Sequence, residues 1–100
     1  MAGNKLTKAE IVERISENTR VSKKDIHAII DHFFSEVKTA LTSDRTVEFR
    51  GFGTFEVRTR KGRERARNPK TGETVRVQNH GVVVFRPGKD LKDAAWPLRS

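Results

Sequence analysis

The sequence predicts an α+β fold with two helices first, a small antiparallel sheet next, and a charged β-ribbon that extends from the sheet. Three observations lead to this prediction. Residues 1–44 contain two stretches with helical apolar spacing, each preceded by a capping residue. From residue 45 onward, apolar and polar residues alternate as in half-buried strands. Between the alternating stretches lie residues 58–74, which are rich in arginine and almost lack apolar side chains.

Two capping patterns mark the helix starts. Thr7 is followed three residues later by Glu10, the spacing of a capping box, and Leu6 and Ile11 stand where a hydrophobic staple closes. Ser22 repeats the pattern with an aspartate three residues later. We expect the first helix to fade near residue 18 and the second to end around residues 42–44, giving a helical hairpin over 1–44. The second helix spaces its apolar residues as an amphipathic helix does: Ile26, Ile29, Ile30, Phe33, Phe34, Val37 and Leu41.

The sheet is predicted from two alternating stretches, residues 45–57 and 75–87. In the first, Val47 and Phe49 alternate with charged residues, and Phe55 and Val57 continue the pattern after a glycine-rich turn. The second is rich in valine and ends in phenylalanine before a Pro-Gly break. Residues 88–96 then predict a short C-terminal helix. The whole chain, residues 1–100, is expected to form one domain.

The charge balance indicates a polyanionic partner. The chain has 21 Lys and Arg against 13 Asp and Glu, a formal net charge of +8. Nucleic acid fits this balance best, and a membrane surface or an acidic glycan fits it less often. With no cysteine, disulfides and thiolate metal sites are excluded. No secretory signal and no membrane span are expected, so an intracellular, soluble protein is the simplest interpretation.

The apolar content predicts that the core is completed by a second copy of the chain. Only 34% of the 100 residues are hydrophobic, and the arginine-rich stretch cannot join a core. Small domains bury a smaller fraction of their surface than large ones and are marginal alone. We therefore expect a homodimer.

The arginine-rich stretch, residues 58–74, predicts a DNA-binding ribbon, here called the arm. It has a single acid among its cations up to residue 70, and the chain returns as a strand after its turn. A two-stranded ribbon fits a DNA groove, where Lys and Arg neutralise phosphates. A disordered basic loop or a localisation signal is the alternative, because short basic runs are often one of these.

Pro69 stands at the turn of this arm and has two interpretations. Asn-Pro is common in turns, so the proline can simply shape the turn. A rigid apolar ring at the end of a charged ribbon can also enter between base pairs and kink the duplex. The two roles are compatible, since a turn is what brings the ring to the tip.

No enzyme, metal site or cofactor is predicted. His27 and His32 are five residues apart, which is off one helical face, and His80 has no cysteine or carboxylate pattern beside it. The helical carboxylates form no shielded pair of the kind that acid–base catalysis needs.

Three motifs resemble the HU/IHF family of bacterial histone-like DNA-bending proteins, and most closely its spirochaetal HU-like branch. They are GFGTF at 51–55, RNPKTGE at 67–73 and FRPGK at 85–89, in the family's order and spacing. The resemblance implies an intertwined homodimer. Its base would be helical, with two N-terminal helices per chain, and each chain would add a small antiparallel sheet, a long DNA-binding arm and a short C-terminal helix.

The resemblance also implies roles for individual residues. Pro69 would intercalate from the minor groove, Arg67 and Asn68 would contact the groove floor and the backbone, and Lys89 would meet phosphate at the start of the last helix. The predicted DNA-binding residues are Arg58, Arg60, Lys61, Arg63, Arg65, Arg67, Asn68, Pro69, Lys70, Arg76, Arg86 and Lys89. The predicted core and dimer residues are Ile30, Phe33, Phe34, Val37, Phe49, Phe52, Phe55 and Phe85. The arm is one residue longer than the usual HU pattern, in the region of residues 61–62.

The predicted function is an architectural one: binding double-stranded DNA through the minor groove and bending it, with little sequence specificity. Bent, nicked or otherwise distorted DNA would be preferred, and the protein would act in the bacterial cytoplasm, on the nucleoid. Three alternatives remain open: a site-preferring bender like IHF, an RNA-binding or ribosome-associated protein, and a binder of polyanions or membrane surfaces. A heterodimer with a paralogue also remains open.

Overall fold

The computed structural model describes residues 5–99 as three helices and five strands. In chain order these are α1 (Lys8–Asn18), α2 (Lys23–Thr42), β1 (Val47–Phe49), β2 (Gly53–Arg60), β3 (Arg63–Arg67), β4 (Thr74–Val77), β5 (His80–Pro87) and α3 (Lys89–Ala95). The predicted α+β order is therefore present. The ends of the predicted domain, residues 1–4 and 100, lie outside the described residues. The chain divides into two units, one up to Lys38 and one from Thr39, so α2 belongs in part to each.

The first unit contains α1 and most of α2, and both helices begin at the predicted caps. The Thr7 side chain accepts a hydrogen bond from the Glu10 amide at 3.3 Å. Ser22 Oγ accepts one from the Asp25 amide at 3.2 Å. Such caps satisfy amides that the first helical turn leaves without a partner. The Glu10 carboxylate pairs with Arg14, one turn further along α1.

Within this unit two ion pairs join the helices, and each helix has one buried apolar residue. Val12 and Ile26 are buried. Lys23 Nζ lies 3.0 Å from a Glu13 carboxylate oxygen. A second pair joins α1 to α2 near the start of the chain, between Lys8 and Asp31.

In the second unit, α2 ends in a left-handed residue and leads into the sheet. Asp44 has φ 61°, and its amide donates to the Leu41 carbonyl at 3.1 Å. The Arg45 amide donates to the Ala40 carbonyl at 2.9 Å. A left-handed residue just after the last turn is a common helix ending, because it lets the following amides satisfy the final carbonyls.

Strands β1, β2 and β5 form a three-stranded antiparallel sheet in the order β1-β2-β5. Val47 pairs with Phe55, and Phe55 with Phe85, so aromatic and valine side chains fall on one face. The Phe55 and Phe85 rings are 4.8 Å apart, and the Phe49 and Phe55 rings 6.2 Å. The Gly88 amide, just before α3, donates to the Phe52 carbonyl at 2.8 Å and so ties the turn after β1 to the start of that helix.

Strands β3 and β4 form a separate two-stranded sheet, which moves the predicted boundary between sheet and arm. Residues 75–77 were expected in the main sheet, but they pair with β3 in the outer ribbon. Conversely, Arg58 and Arg60 were expected in the arm, but they pair with β5 in the main sheet. The physical cause is a break in the ladder at residues 61–62 on one strand and 78–79 on the other.

The predicted core residues are only partly covered in the single chain. Among the described hydrophobic residues, those that reach the buried class are Val12, Ile26 and Leu41. The side chains predicted to fill a core or dimer contact remain half-buried or exposed: Ile30, Phe33, Phe34, Val37, Phe49, Phe52, Phe55 and Phe85. Large apolar side chains are thus exposed on both units of the chain.

Across residues 5–99, no helix combines the length and the apolar character needed to cross a bilayer.

Candidate nucleic-acid interface

The tip of the ribbon is a tight turn built around Asn68. Its amide donates to the Glu73 carbonyl at 2.7 Å, and its carbonyl accepts from the Gly72 amide at 2.7 Å. Its side-chain oxygen accepts from the Lys70 amide at 2.9 Å, which is the geometry of an Asx turn. Asn68, predicted to contact DNA, therefore also holds the turn together.

Pro69 lies exposed at this tip without cost to the ladder. Proline has no N–H to donate, so it suits a position whose hydrogen bonds its neighbours make. Gly72 completes the turn with φ +75°, a left-handed conformation that glycine adopts without strain. The turn thus presents a rigid apolar ring to solvent at the far end of a charged ribbon.

A β-bulge in the ribbon decides which faces its arginines occupy. Arg63 pairs with Val77 and Arg67 with Thr74, but the register shifts between Arg63 and Ala66. Paired residues point to the same side of a ribbon and neighbours along a strand to opposite sides. Arg63 therefore shares a face with Val77, while Arg67 shares the opposite face with Thr74 and hence with residue 76, an arginine.

Simple alternation would have put Arg63, Arg65 and Arg67 on one face, so this arrangement was not foreseen. The unmatched residue of the ribbon lies at 64–65, opposite the single Arg76. At residues 61–62, where the longer arm was predicted to differ, two residues face two and the register does not change. Bulges without glycine have no clear sequence signal, which explains why this one was missed.

The other predicted arm residues also lie exposed. Lys61, Arg63, Arg65, Arg67, Lys70 and Arg76 are all in the exposed class. The nearest acid, Glu64, lies 4.0 Å from Arg76 with both side chains largely exposed, and such surface pairs contribute little. These cations can therefore turn towards an anion.

In the main sheet, two predicted DNA-binding arginines are held by Glu56, a residue that sequence analysis missed. Arg58 Nε donates to one carboxylate oxygen of Glu56 at 2.6 Å, and Arg86 Nη2 donates to the other at 3.3 Å. The hydrogen bond from Arg58 lowers the pKa of Glu56 below its ordinary 4.5, aided by the charge of Arg86 and opposed by burial. Residues two apart on a strand share a face, so the Glu-Val-Arg spacing in the sequence could have indicated the ion pair between Glu56 and Arg58.

Lys89, predicted to meet phosphate, begins α3 and pairs with Asp93 on the same helix at 2.6 Å. It is 86% exposed. An exposed i,i+4 pair is weak, so an anion of higher charge can displace the carboxylate.

Arg60 ends β2 and is exposed.

No metal centre is formed within the part of the chain that the structure describes, since no group of three His, Cys, Asp or Glu side chains there could hold an ion.

An α+β chain whose sheet extends into an exposed, cationic, two-stranded ribbon defines a class of proteins that bind nucleic acid through β-ribbons. Comparison with known protein families identifies the particular family within this class. Residues 6–95 match the family model described as bacterial DNA-binding protein, and the chain belongs to this family, the HU/IHF family of architectural DNA-binding proteins.

Curated relatives are similar over most of their length. Integration host factor subunit alpha of Pseudoalteromonas translucida is 42% identical over 87 residues, which cover 87% of either chain. The same subunit of Alteromonas mediterranea is 44% identical over 87 residues, again 87% of both. These matches do not test the closer likeness to the spirochaetal branch, which stays a prediction.

Two solved HU structures share the fold. The Anabaena HU–DNA cocrystal structure has a TM-score of 0.82 and 34% identity, covering 92% of this chain and 99% of that one. An HU mutant from Thermotoga maritima has a TM-score of 0.66 and 27% identity, covering 90% and 99%. The predicted family and fold class are confirmed.

The lowered pKa of Glu56 predicts how this carboxylate affects stability. Because the folded pKa lies below 4.5, Glu56 stabilises the fold above pH 4.5, and this contribution is lost as the pH falls through the folded pKa. Glu56→Gln should therefore lower the free energy of unfolding at neutral pH, and the difference from wild type should shrink below pH 4.5. Chemical denaturation of both proteins at several pH values measures this difference in the free energy of unfolding.

Glu64→Gln is the control for this experiment. It removes the same charge from a side chain that is 85% exposed, so the free energy of unfolding should change little at any pH. Equal effects of the two substitutions across the pH range would contradict the role assigned to Glu56.

Proposed function

We propose that the protein is a dimeric DNA-bending protein that places its two ribbons in the minor groove and inserts Pro69 between base pairs. The observation that carries the proposal is the tip geometry, in which an exposed proline ring ends a ribbon flanked by exposed arginines. Cations of the ribbon neutralise phosphates on either side, and the ring unstacks one base step. The Anabaena relative, solved as an HU–DNA cocrystal, supports DNA as the partner.

Low sequence specificity follows from this mode of binding. In the minor groove, A·T and T·A present the same acceptors, so contacts at the tip distinguish little more than A·T from G·C. Selectivity would come mainly from how easily a sequence kinks. DNA that is nicked, gapped or already bent needs less unstacking and should be preferred. Action on the bacterial nucleoid follows from the family and the partner.

A second copy of the chain is proposed to cover the exposed apolar side chains. Phe33 and Phe34, on neighbouring positions of α2, are 45% and 53% exposed, and Phe52 is 50% exposed. Exposed aromatic rings of this kind on each unit are typical of an obligate interface rather than of a free monomer. Two chains would also supply two ribbons, one for each side of a bend.

One alternative has specific support. Two of the similar relatives are alpha subunits of integration host factor, a name that indicates an assembly of unlike subunits. The chain would then pair with a paralogue and prefer particular sites. A purified homodimer that binds DNA of unrelated sequences with equal affinity would exclude this alternative.

Competition separates the proposal from the two other classes, an RNA-binding protein and a plain polyanion binder. A bender distinguishes nicked duplex DNA from RNA and heparin at equal charge. Equal competition by all three would favour a plain polycation, and stronger competition by RNA would favour an RNA-binding protein.

The dimer predicts the effect of a charge on α2. Phe34→Asp would leave an unpaired carboxylate in the interface, which costs about 3–5 kcal/mol. The variant should unfold at low micromolar concentration, where sedimentation of the wild type should show a dimer. Leu98→Asp, at an apolar residue that is 68% exposed and follows α3, should leave the dimer intact. A folded wild-type monomer at that concentration would defeat the proposal.

The ribbon predicts a steep salt dependence of DNA affinity. Each neutralised phosphate contributes about −0.9 to the slope of log K against log salt. Arg67→Gln removes one cation from each of two ribbons, so the slope of the dimer should become less steep by about 2. Arg20→Gln, between the two N-terminal helices, is the matched control and should leave the slope unchanged. A total wild-type slope near −1 would show that the ribbons do not follow the backbone.

Pro69 predicts a preference for distorted DNA. Unstacking costs about a few kcal/mol per step, and a nick removes most of that cost. A saving of about 2–3 kcal/mol corresponds to roughly 30- to 150-fold in affinity. Pro69→Ala keeps the cations, so it should bind straight duplex but bend it less and lose most of the preference for nicks. Titration of straight and nicked duplexes, with energy transfer between their ends, measures both effects.

Lys70→Gln controls for charge at the same tip. It should weaken binding to straight and nicked duplexes by the same factor and leave the bend intact. If Pro69→Ala bends DNA as wild type does and keeps the nick preference, Pro69 only shapes the turn.

A further inference from the structure

The ribbon is joined to the main sheet by a short break in the hydrogen-bonded ladder. Arg60 pairs with His80 on the inner side of the break and Arg63 with Val77 on the outer side. Residues 61–62 and 78–79 face each other between them without belonging to a strand. Because both pairings keep the same register, the break is not an insertion but a place where main-chain pairing stops.

A side chain takes over the pairing at this break. Asn79 Oδ1 accepts a hydrogen bond from the Gly62 amide at 2.7 Å. Beside it, His80 Nδ1 donates to the Gln78 carbonyl at 2.8 Å, a contact within the same strand segment. Asn79 therefore replaces a main-chain acceptor across the ribbon.

The two strands also approach unusually closely here. A Cβ placed on Gly62 would lie 2.0 Å from the Val77 carbonyl oxygen, 2.5 Å from the Gln78 carbonyl carbon and 2.8 Å from the Asn79 nitrogen. These neighbours are main-chain atoms, which cannot rotate away as a side chain can. The break is thus a tight crossing with one cross-strand hydrogen bond from a side chain, and not an open loop.

We propose that Asn79 is a positioning residue for DNA bending, which fixes the direction of the outer ribbon through the Gly62 amide. The inference rests on the proposed function. Without that hydrogen bond, the outer ribbon would pivot about the crossing, because the main-chain ladder is interrupted on both strands there.

Because the tip lies far from the crossing, a small change in the direction of the outer ribbon moves Pro69 by several ångströms. Pro69 lies seven positions beyond Gly62, and a fully extended strand rises about 3.3 Å per residue, so the lever is at most about 23 Å long. A rotation of about 10° at the crossing therefore moves the ring by about 4 Å, more than the 3.4 Å between stacked bases. A proline ring with this freedom of movement would not be held opposite one particular base step.

Two substitutions of Asn79 distinguish the role of its hydrogen-bond acceptor from the role of its size. Asn79→Ala removes the acceptor. Asn79→Asp keeps an oxygen for the Gly62 amide and should rescue the position of the ribbon, although its charge weakens DNA affinity. Gln78→Ala, which truncates the neighbouring exposed side chain, is the matched control.

The first measurement uses the free protein. Order parameters from residual dipolar couplings of backbone amides compare β3 and β4 with β2 and β5. We expect the outer strands to fall from about 0.85 to about 0.6 in Asn79→Ala and to stay near 0.85 in the other two variants. Unchanged values for β2 and β5 show that the main sheet remains folded.

The second measurement is the bend of a nicked duplex at saturating protein, by energy transfer between its ends. Asn79→Ala should lose much of the wild-type bend, and Asn79→Asp and Gln78→Ala should retain it. An alanine variant with rigid outer strands or with an unchanged bend would overturn the proposal, and so would an aspartate variant as mobile as alanine.

The two measurements distinguish this inference from the proposed function. If wild type binds DNA without bending it, the bending function fails, and with it the role of Asn79 in bending. The order parameters of the free protein would then still report whether Asn79 holds the ribbon.

Discussion

The ribbon must satisfy its main-chain hydrogen bonds without an apolar core. The rest of the structure depends on how those hydrogen bonds are made. Most of its side chains are exposed and none is buried, so burial contributes little to holding its strands together. Where the ladder stops, side chains with short polar groups supply the missing acceptors. Asn68 does this at the tip for the Lys70 amide, Thr71 for the Glu73 amide, and Asn79 at the crossing for Gly62. The cations are thereby left to an external anion.

The predictable parts of the fold are those specified by local residue chemistry. The caps at Thr7 and Ser22 placed the helix starts, because a hydroxyl at that spacing satisfies a free amide wherever the helix lies. The tip was predictable for the same reason, since Asn-Pro and a following glycine specify a turn. Motif order then connected these local elements to one family.

Features that depend on pairing between distant residues were not predictable. The bulge at residues 64–65 exists only because β4 offers one residue where β3 has two. The carboxylate of Glu56 meets Arg86 across the sheet, 30 residues away in sequence. The alternation of apolar residues identified the face of Phe49 and Phe55, but a pattern gives no information about what covers a face. These contacts follow from register, which a single sequence does not contain.

The bulge has a consequence for how such a ribbon can change in length. The arm resembles the family pattern with one residue added, and in a regular strand one added residue turns every later side chain to the opposite face. Here β3 has one residue more than β4 between Arg63 and Ala66, and beyond the bulge Arg67 pairs with Thr74. A bulge of this kind can take up one added residue within its own strand. Ribbons whose strands differ by one residue can therefore present the same turn at the tip.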